Sequence, residues 1–563
     1  MCTNLSSELV VNWSGDTSVA TRTRMSSENQ IELLEKEVDA FFSSLAIRHY
    51  PRNLADWAVL TKAAIEVQRA ADPEYGGPKH RNATINFSRM AALLLAEVES
   101  KGNQSFASRR SFQWSPPLDA ATNRALTEAD GYFHAWANFS FWREKRFKAE
   151  AIGRLVRFTT EESSRERQVK AFQKTILRKA DRKLPADSLA PMPPYRIGLF
   201  EKFMASVGGA RSRTITYEMP SELYSELFPW FQSQSEMLVR HREEVCLGGY
   251  SMKQIKEFVA ALQTVCAVHD HLCFLAARRR REFPVNSAVL VKKGSEWVRE
   301  LSNISGMDPH ATGEILGDLT FGDRVPIDLH SELFVPLDKK GDFLAAVPHF
   351  GLSARVDENL LRTLSRTDKK AYDTLSEIKE EEMLDELRLA LPKAISAFGP
   401  YELPRDAKTN LDLVIVDELD STVLLVELKW IRKPLFAKER NRADGEFLKG
   451  IQQLGRLRLF LESNPSYLKV RGALLRDLSE YSNVHFALVG RDHMVWPAVD
   501  PECLIVEYEV FKEHLKKLTE LNTTFQTLSQ YDWLPVEGVD FEIRMEAATV
   551  NGITIEGQTY HIL

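Results

Sequence analysis

Three charged residues in the C-terminal third have types and spacing that could do chemistry. Asp412 lies in Asn410-Leu-Asp-Leu-Val-Ile-Val-Asp417, and Glu427 and Lys429 lie in Val423-Leu-Leu-Val-Glu-Leu-Lys-Trp430. Successive side chains of a strand point to opposite faces, so Glu427 and Lys429, two apart, project from one face. A carboxylate and an ammonium then stand side by side at the end of an otherwise apolar strand. Asp412 meets them if its own segment is the neighbouring strand of a hairpin in the simplest register. Two carboxylates so placed hold one or two hard divalent ions through oxygen. Such an ion lowers the pKa of a bound water and neutralises charge building on a phosphate. A lysine beside it orients the water or stabilises the transition state. The chemistry within reach is hydrolysis of a phosphodiester. Burial lowers a lysine pKa and adjacent carboxylates raise it, so the sequence leaves the protonation state of Lys429 open.

Positioning these residues requires a particular set of elements. The hydrophobic pattern predicts helix 372–397, strands 400–404, 411–417 and 422–430, helix 444–462 and strand 484–490. The short link Glu418-Leu-Asp-Ser421 makes the two middle strands a hairpin.

That order, with Asp412 on one strand and Glu427-x-Lys429 on the next, resembles the PD-(D/E)xK nuclease superfamily over residues 372–510, a quarter of the chain. Leu411 stands where the family's name has proline. The resemblance implies a restriction-endonuclease-like α/β domain with a mixed central sheet, a Mg²⁺ or Mn²⁺ cofactor, Asp412 and Glu427 as metal ligands, and Lys429 as the catalytic lysine. Many members also carry a Glu on the first core helix and a Gln on the helix after the Glu-x-Lys strand. Here the first helix offers Glu377, Glu380, Glu381, Glu382 and Glu386. At about 100° per residue, Glu380 falls in the middle of the apolar stripe of Met383, Leu384, Leu387 and Leu391 and Glu377 at its edge, while Glu382 and Glu386 point away. Glu380 is the expected accessory ligand, with Glu377 and Glu381 as alternatives. On the second helix Gln452 and Gln453 are both candidates, and their angular positions do not separate them.

The rest of the chain gives a multidomain α plus α/β expectation. At 563 residues it exceeds a single core. A mobile tail (1–28) leads into a mainly helical region (29–289, with a break near 184–220) and a mixed connecting segment (290–371). The nuclease-like domain (372–510) follows, then an extension (511–563) holding a helix and a hairpin that turns at Asn551-Gly552. Apolar stretches stop short of a membrane span, and the N-terminus lacks the pattern of a secretory signal. With five scattered cysteines, the expected location is cytoplasmic and reducing. A net charge of −6 does not suit a DNA coat protein but leaves room for a nuclease with local basic patches.

Secondary candidates carry blander alternatives. Cys266, His269, His271 and Cys273 invite a zinc reading, but their spacing matches no common pattern. They read better as buried helix residues. From Arg143 to Lys183 there are 14 Lys or Arg against 6 Asp or Glu, interleaved with Phe147, Phe158 and Phe172. That stretch could track a phosphate backbone or be a solvated helix surface. Arg278–Arg281 reads as a helix end. Lys429-Trp-Ile-Arg-Lys433, with Lys438, Arg440 and Arg442, is placed to grip nucleic acid at the site. No phosphate-binding loop with its lysine is present. The expected activity is metal-dependent cleavage of nucleic acid, DNA before RNA, in genome defence or repair. A catalytically silent scaffold of the same fold and an RNA-directed nuclease are the alternatives. Expected partners are DNA, a protein for the helical region and a second copy of the chain, with no membrane.

Overall fold

In the computed structural model the described residues are 27–563, apart from 72–79, 109–111, 183–193, 205–206, 209–212, 219, 239–245, 248, 281–282, 323–328, 330–331, 354–355, 357–359, 362–363, 365–368, 405–408, 433, 435–436 and 498–500. Most of the tail, the Asp72–Pro78 loop and the proline-rich break at 185–193 therefore lie outside them.

A helical N-terminal region is followed by a mixed α/β region. Four long helices open the chain: α1 (Ser27–Asp39), α2 (Arg52–Ala71), α3 (His80–Lys101) and α4 (Pro116–Arg143). The basic stretch that follows departs from the helical expectation. It begins with a hairpin, β1 (Lys148–Ile152) and β2 (Leu155–Thr159), and only then forms α5 (Ser164–Arg182). Gly153 at φ +63° permits the tight turn between the two strands. Helices α6 (Pro194–Phe203) and α7 (Ser221–Leu238) come next. The short strands β3 (Cys246–Leu247) and β4 (Tyr250–Ser251) then precede α8 (Met252–Arg280). Over Met252–Arg279, α8 is long and apolar enough to cross a membrane by length and composition alone, and most of it is buried inside the protein. The connecting segment holds β5 (Leu290–Lys293), α9 (Gly294–Ser305), α10 (Pro309–Asp318), β6 (Val335–Pro336), β7 (Phe343–Ala346) and α11 (Pro348–Leu352), with a small sheet in the order β5-β7-β6.

The C-terminal third begins with α12 (Lys369–Ala390), which is shorter than expected. Ser396 and Ala397, taken from sequence as the end of that helix, instead belong to strand β8 (Ser396–Phe398). Pro392 cannot continue a helix, and the backbone beyond it pairs with a strand distant in sequence. Next come β9 (Tyr401–Glu402), β10 (Asn410–Leu411), β11 (Leu413–Asp417) and β12 (Thr422–Trp430). These are followed by α13 (Ala437–Ser463), α14 (Tyr467–Val470), β13 (Asn483–Arg491) and β14 (Leu504–Glu507). The central sheet runs β14-β13-β12-β11-β8. β12 is parallel to β13 and antiparallel to β11, so the sheet is mixed.

Every residue of β12 but Lys429 is buried, which explains its continuous apolar run in place of an alternating one. The β11–β12 turn is organised by Asp417. Its Oδ1 accepts from the backbone N–H of Leu419 and Asp420, both at 3.1 Å. Its Oδ2 accepts from Leu521 N at 3.3 Å, at the start of α16 (Leu521–Gln530). Ahead of it, α15 (Tyr508–Lys516) packs against α12.

The chain ends in the expected hairpin, β15 (Phe541–Val550) and β16 (Ile553–Ile562). Asn551 and Gly552 turn it at φ +52° and +74°, as a type I′ turn requires. This hairpin does not stand apart. β16 pairs in parallel with β2, giving a second sheet in the order β1-β2-β16-β15. The C-terminal hairpin is thereby joined to the β1–β2 hairpin that follows α4.

Candidate active site

The hairpin register sets Leu413 opposite Val426. One step further places Asp412, at the break between β10 and β11, opposite Glu427. The Asp412 carboxylate turns across the ladder, where its Oδ2 accepts from Leu428 N at 2.8 Å. Lys429 Nζ lies 2.6 Å from Glu427 Oε1, with the Glu427 side chain 3% exposed and that of Lys429 18%. From α12, Glu380 reaches the same place, its Oε1 accepting from Trp430 N at 3.3 Å. The expected residues Asp412, Glu427, Lys429 and Glu380 are thus brought together at the end of β12.

The other candidates separate. Glu377 and Glu381 are exposed. Glu386 accepts from Tyr508 Oη at 2.9 Å and from Lys512 Nζ at 3.0 Å. Glu382 corrects the helical-wheel reading. It is buried at 6% exposure and forms a 2.7 Å ion pair with Lys379, three residues before it. Gln452 is exposed and Gln453 half-buried. Gln453 lies about 60° around the helix from Gly450, and Gln452 about 160°. Gly450 faces the site, because a Cβ built on it would stand 2.6 Å from Leu488 Cδ1 and 3.4 Å from Lys429 Cε. Gln453 is therefore closer in angle than Gln452 to the face of the helix that meets the site.

Two more glycines let the backbone close in. A Cβ on Gly399 would meet the Asp412 carbonyl at 2.6 Å. Gly490, paired with Lys429 across the parallel ladder, leaves room for the Phe447 ring, which a Cβ there would strike at 2.5 Å.

The electrostatics follow from three acids sharing a dry site with one cation. Burial pushes Glu427 up, and the Asp412 charge adds to that against Lys429, to about 8. Glu380 is raised to about 7, first by burial, with Asp412 and Glu377 adding to it. Asp412 is raised by burial, against the pull of the Leu428 N–H and Lys429. Burial alone would lower Lys429, but Glu427, Glu380 and Asp412 outweigh it and hold the ammonium above its ordinary value. Lys429 is therefore a cation at neutral pH.

Each of the three carboxylates engages one oxygen, and among the described residues none accepts a hydrogen bond at the other. The donor set is all oxygen and carries surplus negative charge, which fits a hard divalent ion. Among the described residues no three His, Cys, Asp or Glu side chains stand close enough to form a ready cage. A cation at Glu427 would compete with Lys429 for Oε1. A cavity of about 550 Å³, walled by Trp57, Phe112 and Tyr217, opens at the helical region.

The secondary candidates settle into the packing. Cys266 and Cys273 are buried in α8. His269 bridges Tyr217 Oη and Ser287 O, both at 2.6 Å. The His271 ring lies 4.4 Å from that of Phe200. In the basic stretch, Arg143 pairs with Glu35 at 2.9 Å, Arg146 with Asp444 at 2.5 Å and Arg157 with Glu556 at 2.7 Å. Phe147 and Phe158 pack with Phe139 and Phe141, and Phe172 packs on Trp533, so these rings are used inside the protein. Of the basic loop beyond β12, Lys433 and the Lys438 side chain fall outside the described residues, as does Arg281. Sequence reasoning missed Tyr372, whose ring lies 6.2 Å from that of Trp430. Its place on the first turns of α12 carries no motif.

No protein-family model, curated protein or solved structure matches this chain. The functional reading rests on the site itself.

Proposed function

We propose that the protein is a metal-dependent nuclease of the PD-(D/E)xK type, hydrolysing phosphodiester bonds in DNA. The observation that carries this is the convergence of Asp412, Glu427, Glu380 and Lys429 at the end of β12, with one oxygen of each carboxylate left without a hydrogen bond among the described residues. Asp412 and Glu427 would hold Mg²⁺ or Mn²⁺, with Glu380 as the third carboxylate. When bound, the ion supplies Lewis acidity to a phosphate oxygen and to the attacking water. The chain's own residues do the remaining work. Lys429, held protonated between Glu427 and Glu380, offers a fixed positive charge to the phosphate oxygen on which charge develops. The buried end of β12 excludes bulk water and strengthens that interaction. Glu380, which burial raises to about 7 in the metal-free site, would give up its proton on joining the ion. The Leu428 and Trp430 N–H groups fix the orientation of Asp412 and Glu380.

The test is conversion of supercoiled plasmid to nicked and linear forms in Mg²⁺, compared with EDTA and with Lys429→Ala. Cleavage that needs Mg²⁺ and falls at least about 100-fold in the variant supports the reading. A wild-type protein that leaves plasmid uncut but cuts RNA would make it an RNA nuclease, and one that cuts neither a silent scaffold.

A further inference from the structure

We infer that Arg432, Arg442 and Tyr372 form an anion subsite at the mouth of the carboxylate cluster, which takes a non-scissile phosphate of a DNA strand. The inference rests on the nuclease reading for the identity of the strand, though the observations that carry it are separate. Arg432 follows β12 by two residues and reaches α13. Its Nη2 pairs with Glu439 at 2.7 Å. Its Nη1 is buried and has no hydrogen-bond partner. A buried guanidinium N–H without an acceptor is costly and calls for an explanation. An oxyanion supplies the missing acceptor, and arginine is the side chain suited to phosphate.

Arg442 sits one turn beyond Glu439 on α13. It is exposed and, among the described residues, has no ion pair or hydrogen bond. Glu439 and Arg442, three apart, share a face of α13, so the Arg432–Glu439 pair brings Arg432 to the face that carries Arg442, and the Tyr372 phenol on α12 lies within the field of both arginines. Tyr372 also packs beside Trp430 at 6.2 Å, and the Trp430 N–H holds Glu380. The subsite is thus coupled to the acids through one residue. Arg440, two residues before Arg442, is not part of it. Its field is tied to Asp444, Arg146 and Glu162 on the other side of α13.

The arrangement answers a problem that the acids create. Buried carboxylates repel a polyanion, so a strand must be held by cations alongside them. Each phosphate contact made by such a cation contributes to a salt-dependent affinity.

The experiment is anisotropy of a short fluorescein-labelled DNA duplex over a salt series, in EDTA and again in Ca²⁺, with the full chain. Arg442→Ala is the main variant because the side chain is exposed and its removal leaves the core alone. Arg432→Gln is the second, and Lys449→Ala, an exposed cation elsewhere on α13, is the control. The expected result is wild-type binding weakened about tenfold in Arg442→Ala, with the slope of log K against log salt reduced by about one. Arg432→Gln should weaken binding as well, and Lys449→Ala should match wild type. An Arg442→Ala protein with the wild-type affinity and slope, or a wild-type protein that does not bind the duplex, overturns the subsite. Binding that depends on Arg442 in a protein that never cleaves would keep the subsite and end the nuclease reading.

Discussion

Glu427 and Glu380 hold their protons to unusually high pH, at about 8 and about 7. In an unfolded chain a glutamate titrates near about 4.3. Between those values the folded protein binds more protons than the unfolded one. Folding stability therefore falls as pH rises through this window, and the contribution is fully present only below the unfolded pKa. Urea unfolding in EDTA should show midpoints that fall from about pH 5 to about pH 8. Glu427→Gln should flatten that dependence, because it removes one buried charge without changing shape. A steeper fall in the variant would mean that the acids do not share a site. At this scale the sequence was legible where alternation fixes geometry: Glu427 beside Lys429, and Asp412 across the hairpin. It could not rank Gln452 against Gln453, because the separation comes from the close approach of Gly450 to Leu488 and Lys429. It also misjudged Glu382, since a helical wheel does not show an ion pair with Lys379 buried against other parts of the fold.

At the scale of elements, the site depends on how closely α13 approaches β12 and β13. Gly450 permits that approach. A Gly450→Val substitution should shift α13 or displace Lys429. Displacement of a reacting group by about 1 Å costs on the order of 100-fold in rate, and overpacking a dense core costs about 1–3 kcal/mol. The expected outcome is a folded protein with strongly reduced kcat, measured by plasmid nicking beside thermal unfolding. Wild-type kcat in that variant would show that the contact does not position Lys429. The limits of β12 and the two hairpins were readable from local pattern. β8 was not, because three residues after a proline become a strand only when β11 is there to pair with them. β14 was missed for a similar reason, since Leu504–Glu507 gains its identity from the parallel partner β13.

For the whole molecule, the notable feature is the joining of its C-terminal hairpin to the far earlier β1–β2 hairpin. β16 pairs with β2 over Thr554–Glu556, and Arg154 donates to the carbonyls of Asn551 and Gly552, both at 3.1 Å. Gly557 lies so close to α4 that a Cβ there would meet Asn138 Oδ1 at 2.3 Å. No local signal in the sequence announces contacts across hundreds of residues. Removing residues 541–563 would uncover the buried side chains of Val156 and Phe158. Burying one large apolar side chain contributes about 1.5–3 kcal/mol. The truncated chain should lose stability in its N-terminal region, seen as faster proteolysis within 116–182. Unchanged proteolysis there would show that the second sheet contributes little to that region.

The account stands on the carboxylates of Asp412, Glu427 and Glu380 holding a divalent cation in common. Calorimetric titration of Mn²⁺ into the metal-free protein near about pH 7 tests this directly, because raised carboxyl pKa values mean that binding must release protons. The account predicts saturable binding with a heat that varies with the ionisation enthalpy of the buffer, and loss of that binding in Glu427→Gln. Identical Mn²⁺ isotherms for the wild-type and Glu427→Gln proteins would contradict it.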